Sequence, residues 1–226
     1  MELLNLSALP QARLTELCKS YPWLGRYPWE LCRYARREYL CHYRESVERL
    51  IFLLEGAVSV SLTPPHGRTH IITYATVDDL ICGDVEVALG SSLASADLRA
   101  EENTLCLTLP IAPHREALLG DNDFLRFALA RLSTQMVRQS IYTANNLLFP
   151  LENRMAAYIL YYLVGDPFEV NLTHTAELMG ASYRQLSRVM REYRERGFLE
   201  KTDSGWRILD RSALEVLAQD VEATIL

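Results

Sequence analysis

The sequence lacks the marks of several large classes of protein. No apolar run approaches the roughly 20 residues that span a bilayer, and the N-terminus has no basic-then-apolar signal pattern. The five cysteines contain no CxxC pair and are scattered, at Cys18, Cys32, Cys41, Cys82 and Cys106. We therefore expect a soluble cytoplasmic protein whose thiols are small buried apolar groups rather than ligands of a metal or cluster.

Arrangements typical of an enzyme are also missing. The sequence shows no Ser-His-Asp order, no phosphate-binding loop and no cluster of metal-ligating residues. Asp78 and Asp79 are adjacent carboxylates, but neighbouring residues of a strand or turn point apart. We interpret them as a solvated turn, and the sequence predicts neither an enzyme nor a metal site.

An overall excess of basic charge is absent, since the net charge is −6. The charge is unevenly distributed: residues 173–211 carry eight basic and six acidic side chains, hence +2, whereas 1–172 carry −5 and 212–226 carry −3. The acidic remainder limits non-specific binding to nucleic acid. The segment 173–211 is therefore the part of the chain that favours an anionic partner.

Residues 173–197 have the spacing of two short helices joined by a tight turn. Ala176 is small enough for a close helix crossing, Gly180 can take the positive φ of the turn, and Leu186 anchors the second helix. Ser182 precedes this second helix, residues 183–196, as an N-cap. The segment predicts a helix-turn-helix.

The second helix has two faces. Four apolar residues repeat at i, i+3, i+4 and i+7 and predict a buried stripe: Leu186, Val189, Met190 and Tyr193. On another face lie Arg184, Arg188 and Arg191, which we interpret as an uncompensated basic stripe that requires an anionic partner. Two short strands, 198–201 and 206–209, follow Gly197 and predict a β-hairpin. The segment 172–210 therefore predicts a DNA-reading winged helix.

Residues 31–110 contain short apolar or alternating runs separated by turn signals. The runs lie at 50–54, 57–62, 70–74 and 104–109, and the turn signals at 55–56, 64–67 and 78–79. This density of short strands predicts a barrel or sandwich. An amphipathic helix over 8–20 should cover it through Leu14, Leu17 and Cys18.

Residues 121–148 predict one long helix with two apolar edges and with Asp121 or Asp123 as its N-cap. Phe124, Phe127 and Ala128 form the edge that should pack on the preceding domain. The other edge is a coiled-coil seam without an evident use inside the chain: Leu125, Leu129, Leu132 and Met136. We interpret this seam as a homodimer interface, with a helix buried on one side only as the alternative. Phe149-Pro150 should break the helix, and a further helix is predicted over 151–164.

This order of elements resembles the CRP/FNR superfamily of bacterial transcription regulators over residues 28–210. The resemblance is carried by residues 54–58 (LEGAV), 66–68 (HGR), 83–84 (GD), 153–154 (NR) and 182–188 (SYRQLSR). The strings FPLENR and SYR are similar to the YeiL-type branch of that superfamily. The resemblance implies an α+β fold with three parts. These are a cyclic-nucleotide-binding-like β-roll (jelly-roll) at 1–120, a dimerisation helix at 121–148 and a winged-helix DNA-binding domain at 149–226.

The segment 80–96 lies where cyclic-nucleotide-binding members of the superfamily have their phosphate cassette. In those members a Gly-Glu pair and an Arg-Ser pair hold the ribose and the cyclic phosphate. Here Gly83-Asp84 has a shorter acid, and Ala94-Ser95 lacks the arginine. Thr143 matches an adenine-contacting threonine, without the serine that follows it in the family. A buried phosphate without its counter-charge loses a strong contact, so we expect a degenerate effector pocket that has lost cyclic nucleotides.

The FNR branch of the superfamily senses oxygen through an iron–sulfur cluster held by closely spaced N-terminal cysteines and one in the roll. Cys18, Cys32 and Cys41 are separated too widely for that pattern. We therefore expect no cofactor and no metal, with an iron–sulfur cluster of unusual ligand spacing as the alternative.

The sequence thus predicts a sequence-specific DNA-binding transcription regulator of the CRP/FNR type. We expect a homodimer that binds an inverted-repeat operator in double-stranded DNA through the helix 183–196, with RNA polymerase and an unknown small-molecule effector as further partners. The residues expected to meet DNA are Thr173, Ser182, Tyr183, Arg184, Gln185, Arg188 and Arg191. The alternative is a metabolite- or redox-sensing protein whose output is a protein contact.

Overall fold

The longest helix of the chain runs across the boundary between two compact units, Met1–Leu132 and Ser133–Leu226. Each unit has its own hydrophobic core. The computed structural model describes residues 1–62, 69–75, 77–90 and 93–221. The predicted turn at 64–67 and the HGR string at 66–68 lie outside this part of the chain.

The first unit contains the predicted short-stranded sandwich. Its strands are β1 (Glu2–Leu4), β2 (Glu30–Tyr34), β3 (Tyr39–Cys41), β4 (Arg49–Glu55), β5 (Val58–Leu62), β6 (His70–Tyr74), β7 (Asp79–Cys82), β8 (Asp97–Ala100) and β9 (Thr104–Pro110). One antiparallel sheet has the order β1-β2-β9-β4-β7, and the other has the order β3-β8-β5-β6. The predicted runs correspond to β4, β5, β6 and β9, whereas the shorter strands were not individually predicted.

The middle of strand β4, residues 50–54, is apolar because it is covered on both faces. It pairs with β9 on one side and β7 on the other, and residues 50–54 are all buried. Phe52 lies against the rings of Tyr21 and Trp23, and Trp23 in turn contacts Phe124 of the long helix. A strand that is buried on both faces does not alternate between apolar and polar residues.

Three α-helices precede the long helix in the described part of the first unit. They are α1 (Gln11–Ser20), α2 (Asp84–Leu89) and α3 (Ile111–Gly120). Leu17 of α1 is buried, and Leu14 and Cys18 pack against the same core, as predicted. The helix begins at Gln11 rather than at residue 8, because Pro10 precedes its first turn. Helices α2 and α3 were not predicted, because α2 has only six residues and α3 shows no clear apolar periodicity.

The long helix α4 (Asn122–Leu148) has the predicted start and the predicted break. The Asp121 carboxylate accepts the N–H groups of Asp123 at 3.0 Å and Phe124 at 3.3 Å, so Asp121 is the N-cap. Phe124 and Ala128 are buried in the first core and Phe127 packs against it, which confirms the predicted packing edge. Along the other edge the side chains are more open, with Leu125 37 %, Leu129 67 % and Met136 69 % exposed and Leu132 half-buried.

The second unit continues α4 with a helical bundle and a hairpin. Its elements are α5 (Leu151–Tyr162), α6 (Leu172–Leu178), α7 (Tyr183–Glu195), β10 (Leu199–Thr202), β11 (Gly205–Ile208) and α8 (Arg211–Ala218). The predicted end of α5 at residue 164 is wrong, because Leu163 already has an extended backbone. Helix α8 was missed, although Asp210 caps it by accepting the N–H of Ala213 at 3.0 Å. Among the described residues, no helix is long and apolar enough to cross a membrane.

Candidate nucleic-acid interface and effector pocket

The turn between α6 and α7 is the predicted tight connection. Asn171 caps α6 by accepting the N–H of His174 at 3.2 Å. Gly180 has a φ of +60°, which glycine adopts without strain. The N–H of Ala181 donates to the carbonyl of the buried Ala176 at 2.9 Å and ties the turn to the first helix. The predicted helix-turn-helix is confirmed in its geometry.

A capping box fixes the first turn of α7. The Ser182 hydroxyl accepts the N–H of Gln185 at 3.2 Å, and Oε1 of Gln185 accepts the N–H of Ser182 at 2.9 Å and its hydroxyl at 2.8 Å. Reciprocal bonds of this kind satisfy two backbone donors that a helix start otherwise leaves free. Ser182 and Gln185 therefore hold the helix start, and the side-chain amide nitrogen of Gln185 is its remaining donor.

The predicted apolar stripe packs α7 into the second core. Leu186, Val189, Met190 and Tyr193 are all buried. The Tyr193 hydroxyl donates to the Glu152 carbonyl of α5, and burial raises the pKa of this phenol. This packing leaves the opposite face of α7 exposed, because side chains about 180° away on a helix point outward.

The basic face of α7 is only partly uncompensated, which corrects the prediction. Arg184, Arg188 and Arg191 are exposed, but Nε of Arg188 lies 3.5 Å from Glu192 and Nε of Arg191 lies 3.8 Å from Glu195. Both are i,i+4 pairs at the surface, which are worth about 0.3–0.5 kcal/mol each. Among the described residues, no carboxylate lies within ion-pair distance of Arg184.

The remaining predicted DNA contacts are also at the surface. Thr173 is exposed in the first turn of α6, and Tyr183 is 57 % exposed in the first turn of α7. The structure therefore brings Tyr183, Arg184 and Arg188 together on the open side of the N-terminal half of α7. Helix α7 ends at Glu195, one residue before the predicted end.

The wing adds basic residues that the sequence analysis did not select. Strands β10 and β11 pair antiparallel, one residue away from the predicted position of the first strand. Nζ of Lys201 lies 5.1 Å from the centre of the Trp206 ring. Arg207 lies between Asp166 at 3.2 Å and Glu200 at 3.9 Å. Lys201 pairs with Trp206 and Arg207 pairs with Glu200 in the hairpin, so the two basic residues lie on opposite faces of the wing.

Arg154 stabilises the helix-turn-helix through hydrogen bonds within the second unit. Its guanidinium donates to the Phe149 carbonyl at 3.2 Å, to the Met179 carbonyl at 3.0 Å and to the Asn146 side chain. Burial lowers the pKa of Arg154. The side chain thus joins the end of α4, the start of α5 and the turn after α6. The sequence identified Asn153-Arg154 only as a family string.

In the roll, the predicted acid of the effector pocket is already paired. Gly83 has a φ of +96°, and a Cβ there would lie 2.8 Å from the Cα of Leu50, so only glycine fits. Asp84 is 4 % exposed and accepts from Arg131 of α4 at 2.7 Å. Nε of the same arginine donates to Asp79 at 3.1 Å. Arg131 is a residue of this pocket that sequence reasoning missed.

The other residues of the predicted effector pocket, and the neighbouring Glu86, differ in how far they are exposed to solvent. Ala94 is 4 % exposed and Ser95 is exposed. Glu86 is buried, and burial raises the pKa of its carboxyl although backbone hydrogen bonds, including those from Ser95 and Gly83, act in the opposite direction. Thr143 is exposed on the part of α4 that belongs to the second unit.

The interpretation of Asp78-Asp79 as a solvated turn needs correction. Asp78 has a φ of +59° and accepts from Arg13 at 2.6 Å. Asp79 begins β7 and pairs with Arg131, and burial raises its pKa more than Arg131 lowers it. The two carboxylates are therefore bound to different arginines.

No group of three or more His, Cys, Asp or Glu side chains suited to a metal ion occurs in the described ranges. All five cysteines are free thiols. Cys32, Cys82 and Cys106 are buried as expected, but Cys18 and Cys41 are only half-buried, which corrects the expectation for these two.

Comparison with known proteins agrees with both halves of this architecture. The family model of the cyclic nucleotide-binding domain matches residues 31–121, and that of the Crp-like helix-turn-helix domain matches residues 153–217. Regulatory protein YeiL of Escherichia coli O157:H7 is 31 % identical over 192 residues, which is 85 % of this chain and 87 % of YeiL. The chain belongs to the CRP/FNR family. It is a DNA-binding transcription regulator and not an enzyme.

Solved structures of this family share the fold. The CRP-family transcriptional regulator TTHB099 from Thermus thermophilus matches with a TM-score of 0.66 and 23 % identity, over 86 % of this chain and all of its own. A putative CRP/FNR regulator from Eubacterium rectale matches with a TM-score of 0.69 and 15 % identity, over 95 % of this chain and 97 % of its own. At these identities the likeness concerns the fold alone.

Proposed function

We propose that this CRP/FNR regulator reads an inverted-repeat operator with the N-terminal half of α7 in the major groove. The observation that carries the proposal is the exposed set Tyr183, Arg184 and Arg188, held opposite the buried stripe on a helix whose first turn is capped. The first turn of a recognition helix approaches base edges, and arginine can donate two hydrogen bonds to O6 and N7 of guanine. Thr173 and Arg191 are assigned to phosphates.

The proposal includes a homodimer formed through the seam of α4. Leu125, Leu129 and Met136 are exposed large apolar side chains on one edge of a helix whose other edge is buried. A second copy would remove this apolar area from water. A two-fold axis along the seam would place two α7 helices on half-sites about one helical turn apart.

For the roll, we infer that cyclic nucleotides are no longer ligands. Three observations support this: Ala94 supplies no charge, Asp84 is paired with Arg131, and the Glu86 carboxylate receives backbone hydrogen bonds beside it. We propose that the regulator needs no metal or cofactor, responds to a different small molecule, and contacts RNA polymerase in the cytoplasm.

Selection of duplexes from a random pool, followed by fluorescence anisotropy, tests the operator proposal. We expect a symmetric inverted repeat that binds on the order of 10³-fold more tightly than scrambled DNA. Arg184→Ala should lower this ratio, whereas Arg194→Ala, with the same charge change in the last turn of α7, should not. A pool without enrichment contradicts DNA reading and favours a protein contact as the output.

Calorimetry with cyclic AMP tests the effector proposal. The missing charged contact is worth about 1.5–3 kcal/mol, which is about tenfold to a hundredfold in affinity. We expect no binding at micromolar cyclic AMP, and a gain of affinity in Ala94→Arg, which supplies the missing charge. Micromolar binding by the unmodified protein would contradict the proposal.

A further inference from the structure

Two thiols meet where the edges of the two sheets approach each other in the roll. Cys41 ends β3, an edge strand of the four-stranded sheet, and Cys82 ends β7, an edge strand of the five-stranded sheet. Their Sγ atoms lie 3.7 Å apart, although 41 residues separate them in the chain. Cys41 is half-buried and Cys82 is buried. One thiol of the pair is thus open to a small oxidant and the other is protected.

The backbone around this pair can follow a small movement. A disulfide brings its sulfur atoms to about 2.05 Å, so the observed contact has to shorten by roughly 1.7 Å. Both cysteines lie beside irregular points of their ladders, since the β3–β8 register shifts between Tyr39 and Cys41 and the β4–β7 register shifts between Ile51 and Phe52. An irregular point disrupts the ladder locally and leaves a residue unpaired, so fewer hydrogen bonds oppose a small movement there.

We propose that Cys41 and Cys82 are a redox-sensing thiol pair that closes to a disulfide between the two sheets. With a peroxide as oxidant, the Cys41 thiolate attacks one peroxide oxygen, the O–O bond breaks, and Cys41 becomes a sulfenic acid. The Cys82 sulfur then attacks the Cys41 sulfur, the S–OH bond breaks, and water leaves. In sum, two thiols and one hydrogen peroxide give one disulfide and two waters, and a thiol reductant reverses the step.

The surroundings divide these roles between the two sulfurs. The contact with Cys41 and burial raise the pKa of the Cys82 thiol, which makes Cys82 a poor first attacker. Cys41 has access to solvent and donates weakly to the Ala96 carbonyl at 3.6 Å. Cys41 is therefore the residue that reacts with the oxidant, and Cys82 resolves the sulfenic acid.

The position of Cys82 connects the pair to the rest of the roll. The next residue, Gly83, is packed against Leu50, and the one after it, Asp84, is bound to Arg131 of α4. A shift of Cys82 towards Cys41 therefore acts on the ion pair that ties α4 to the pocket. This sensing step rests on the proposed operator binding, whereas disulfide formation does not.

Intact mass spectrometry of the full chain after a hydrogen peroxide titration tests the pair. We expect the wild type to lose the mass of two hydrogens, reversibly with dithiothreitol, and peptide mapping to join Cys41 to Cys82. Cys41→Ser should not lose this mass, and Cys82→Ala should leave a sulfenic acid on Cys41 that dimedone traps. Cys18→Ser is the matched control, because Cys18 is equally half-buried, and it should behave as the wild type.

Several results would overturn the inference. They are a bridge between Cys32 and Cys106, which are cross-strand partners on β2 and β9, a bridge between two chains, or the addition of oxygen without loss of hydrogen. If Cys41→Ser does not fold, the mapped wild-type peptide and Cys82→Ala decide the question.

Operator affinity is then compared between the reduced and oxidised wild type. We expect it to differ severalfold and to be constant in Cys41→Ser. Equal operator affinities of the reduced and oxidised protein would overturn redox sensing. If the reduced protein does not bind the operator at all, that result contradicts only the proposed operator binding.

Discussion

At the scale of single residues, the three arginines of α7 differ in what holds them before DNA arrives. Arg184 is exposed without a carboxylate in reach among the described residues, whereas Arg188 and Arg191 are paired with Glu192 and Glu195. Surface pairs of this kind cost about 0.3–0.5 kcal/mol to open, and a bidentate base contact is worth about 1–3 kcal/mol. The pairs therefore do not prevent base reading.

Replacing Arg188 by alanine should separate base reading from backbone contact. We expect a loss of about 1–3 kcal/mol on the operator and a flattened preference at one base pair. Arg191→Ala is the matched control, which should weaken all duplexes alike and lower the salt slope by about one. Anisotropy on operator and scrambled duplexes across a salt series measures both, and equal losses for Arg188→Ala would assign that residue to phosphates.

Loss of Arg131 should destabilise the roll. Arg131→Met leaves Asp84 and Asp79 without their cation, and breaking a buried pair costs about 3–5 kcal/mol. The Arg131 side chain is 18 % exposed and that of Asp79 is 29 % exposed. We therefore expect a loss of unfolding free energy at the lower end of this range, about 3 kcal/mol. Urea denaturation measures the free energy of unfolding. Arg126→Met, at an exposed position of the same helix, should change it by less than about 0.5 kcal/mol, and similar losses in both variants would contradict the pairing.

At the scale of elements, the start of α4 carries a charge that depends on pH. Burial raises the pKa of Asp121, but hydrogen bonds from Arg26 and from the N–H groups of Phe124 and Asp123 outweigh burial, so the pKa is lowered. A carboxyl with a lowered pKa stabilises the folded state above its unfolded pKa of about 3.9, and this contribution is lost as the pH falls through the folded value.

Asp121→Asn keeps an N-cap acceptor and removes this charge. We expect a loss of about 1 kcal/mol in unfolding free energy at neutral pH, because the ion pair with the half-exposed Arg26 is screened. The difference from the wild type should disappear as the pH falls through the lowered pKa of Asp121, because the wild-type carboxyl is then also uncharged. Asp123→Asn, which removes a more exposed partner of Arg26, should cost less. A loss that is constant across pH would show that the charge does not matter.

The seam of α4 is the element on which assembly depends. Leu129→Glu places a charge at an exposed position in the middle of the seam. It should give a monomer that loses specific DNA binding, because burying an unpaired charge is unfavourable. Leu132 is less suitable for this test, because it is half-buried within its own chain. Ala130→Glu, exposed about 100° away on the helix, should stay dimeric. Sedimentation velocity decides, and a dimeric Leu129→Glu would place the interface elsewhere.

At the scale of the whole molecule, two hydrophobic cores and an uneven charge share one chain. Leu107 is fully buried in the first core and Leu186 in the second. The positive segment belongs to the second unit, and the first is acidic. Each core therefore sets the stability of its own unit.

Truncation in each core should act on a different thermal transition. Leu186→Ala and Leu107→Ala each create a cavity that costs about 2–5 kcal/mol. Calorimetry should show one transition lowered by Leu186→Ala and the other by Leu107→Ala, because the removed contacts lie in separate cores. A single transition that both variants lower equally would indicate one cooperative unit.

The sequence by itself determined those features that depend on neighbours within about four residues. The Ser182 cap, the positive φ of Gly180 and the buried stripe of α7 were predicted and are present. Such signals are local because a helix brings together residues three and four positions apart. The Arg188–Glu192 pair has the same spacing and was overlooked, although the sequence displays it.

Only the tertiary structure decided which side chains meet across the roll. Arg131 reaches Asp84 across 47 positions, and Cys41 meets Cys82 across 41 positions. These contacts follow from the strand order β1-β2-β9-β4-β7 and from register shifts at strand ends. Alternation within a strand defines its faces but not its partner, because pairing is fixed by the burial of the whole sheet. The functional residues of the winged helix could therefore be predicted from the sequence, whereas the side chains that meet in the pocket could not.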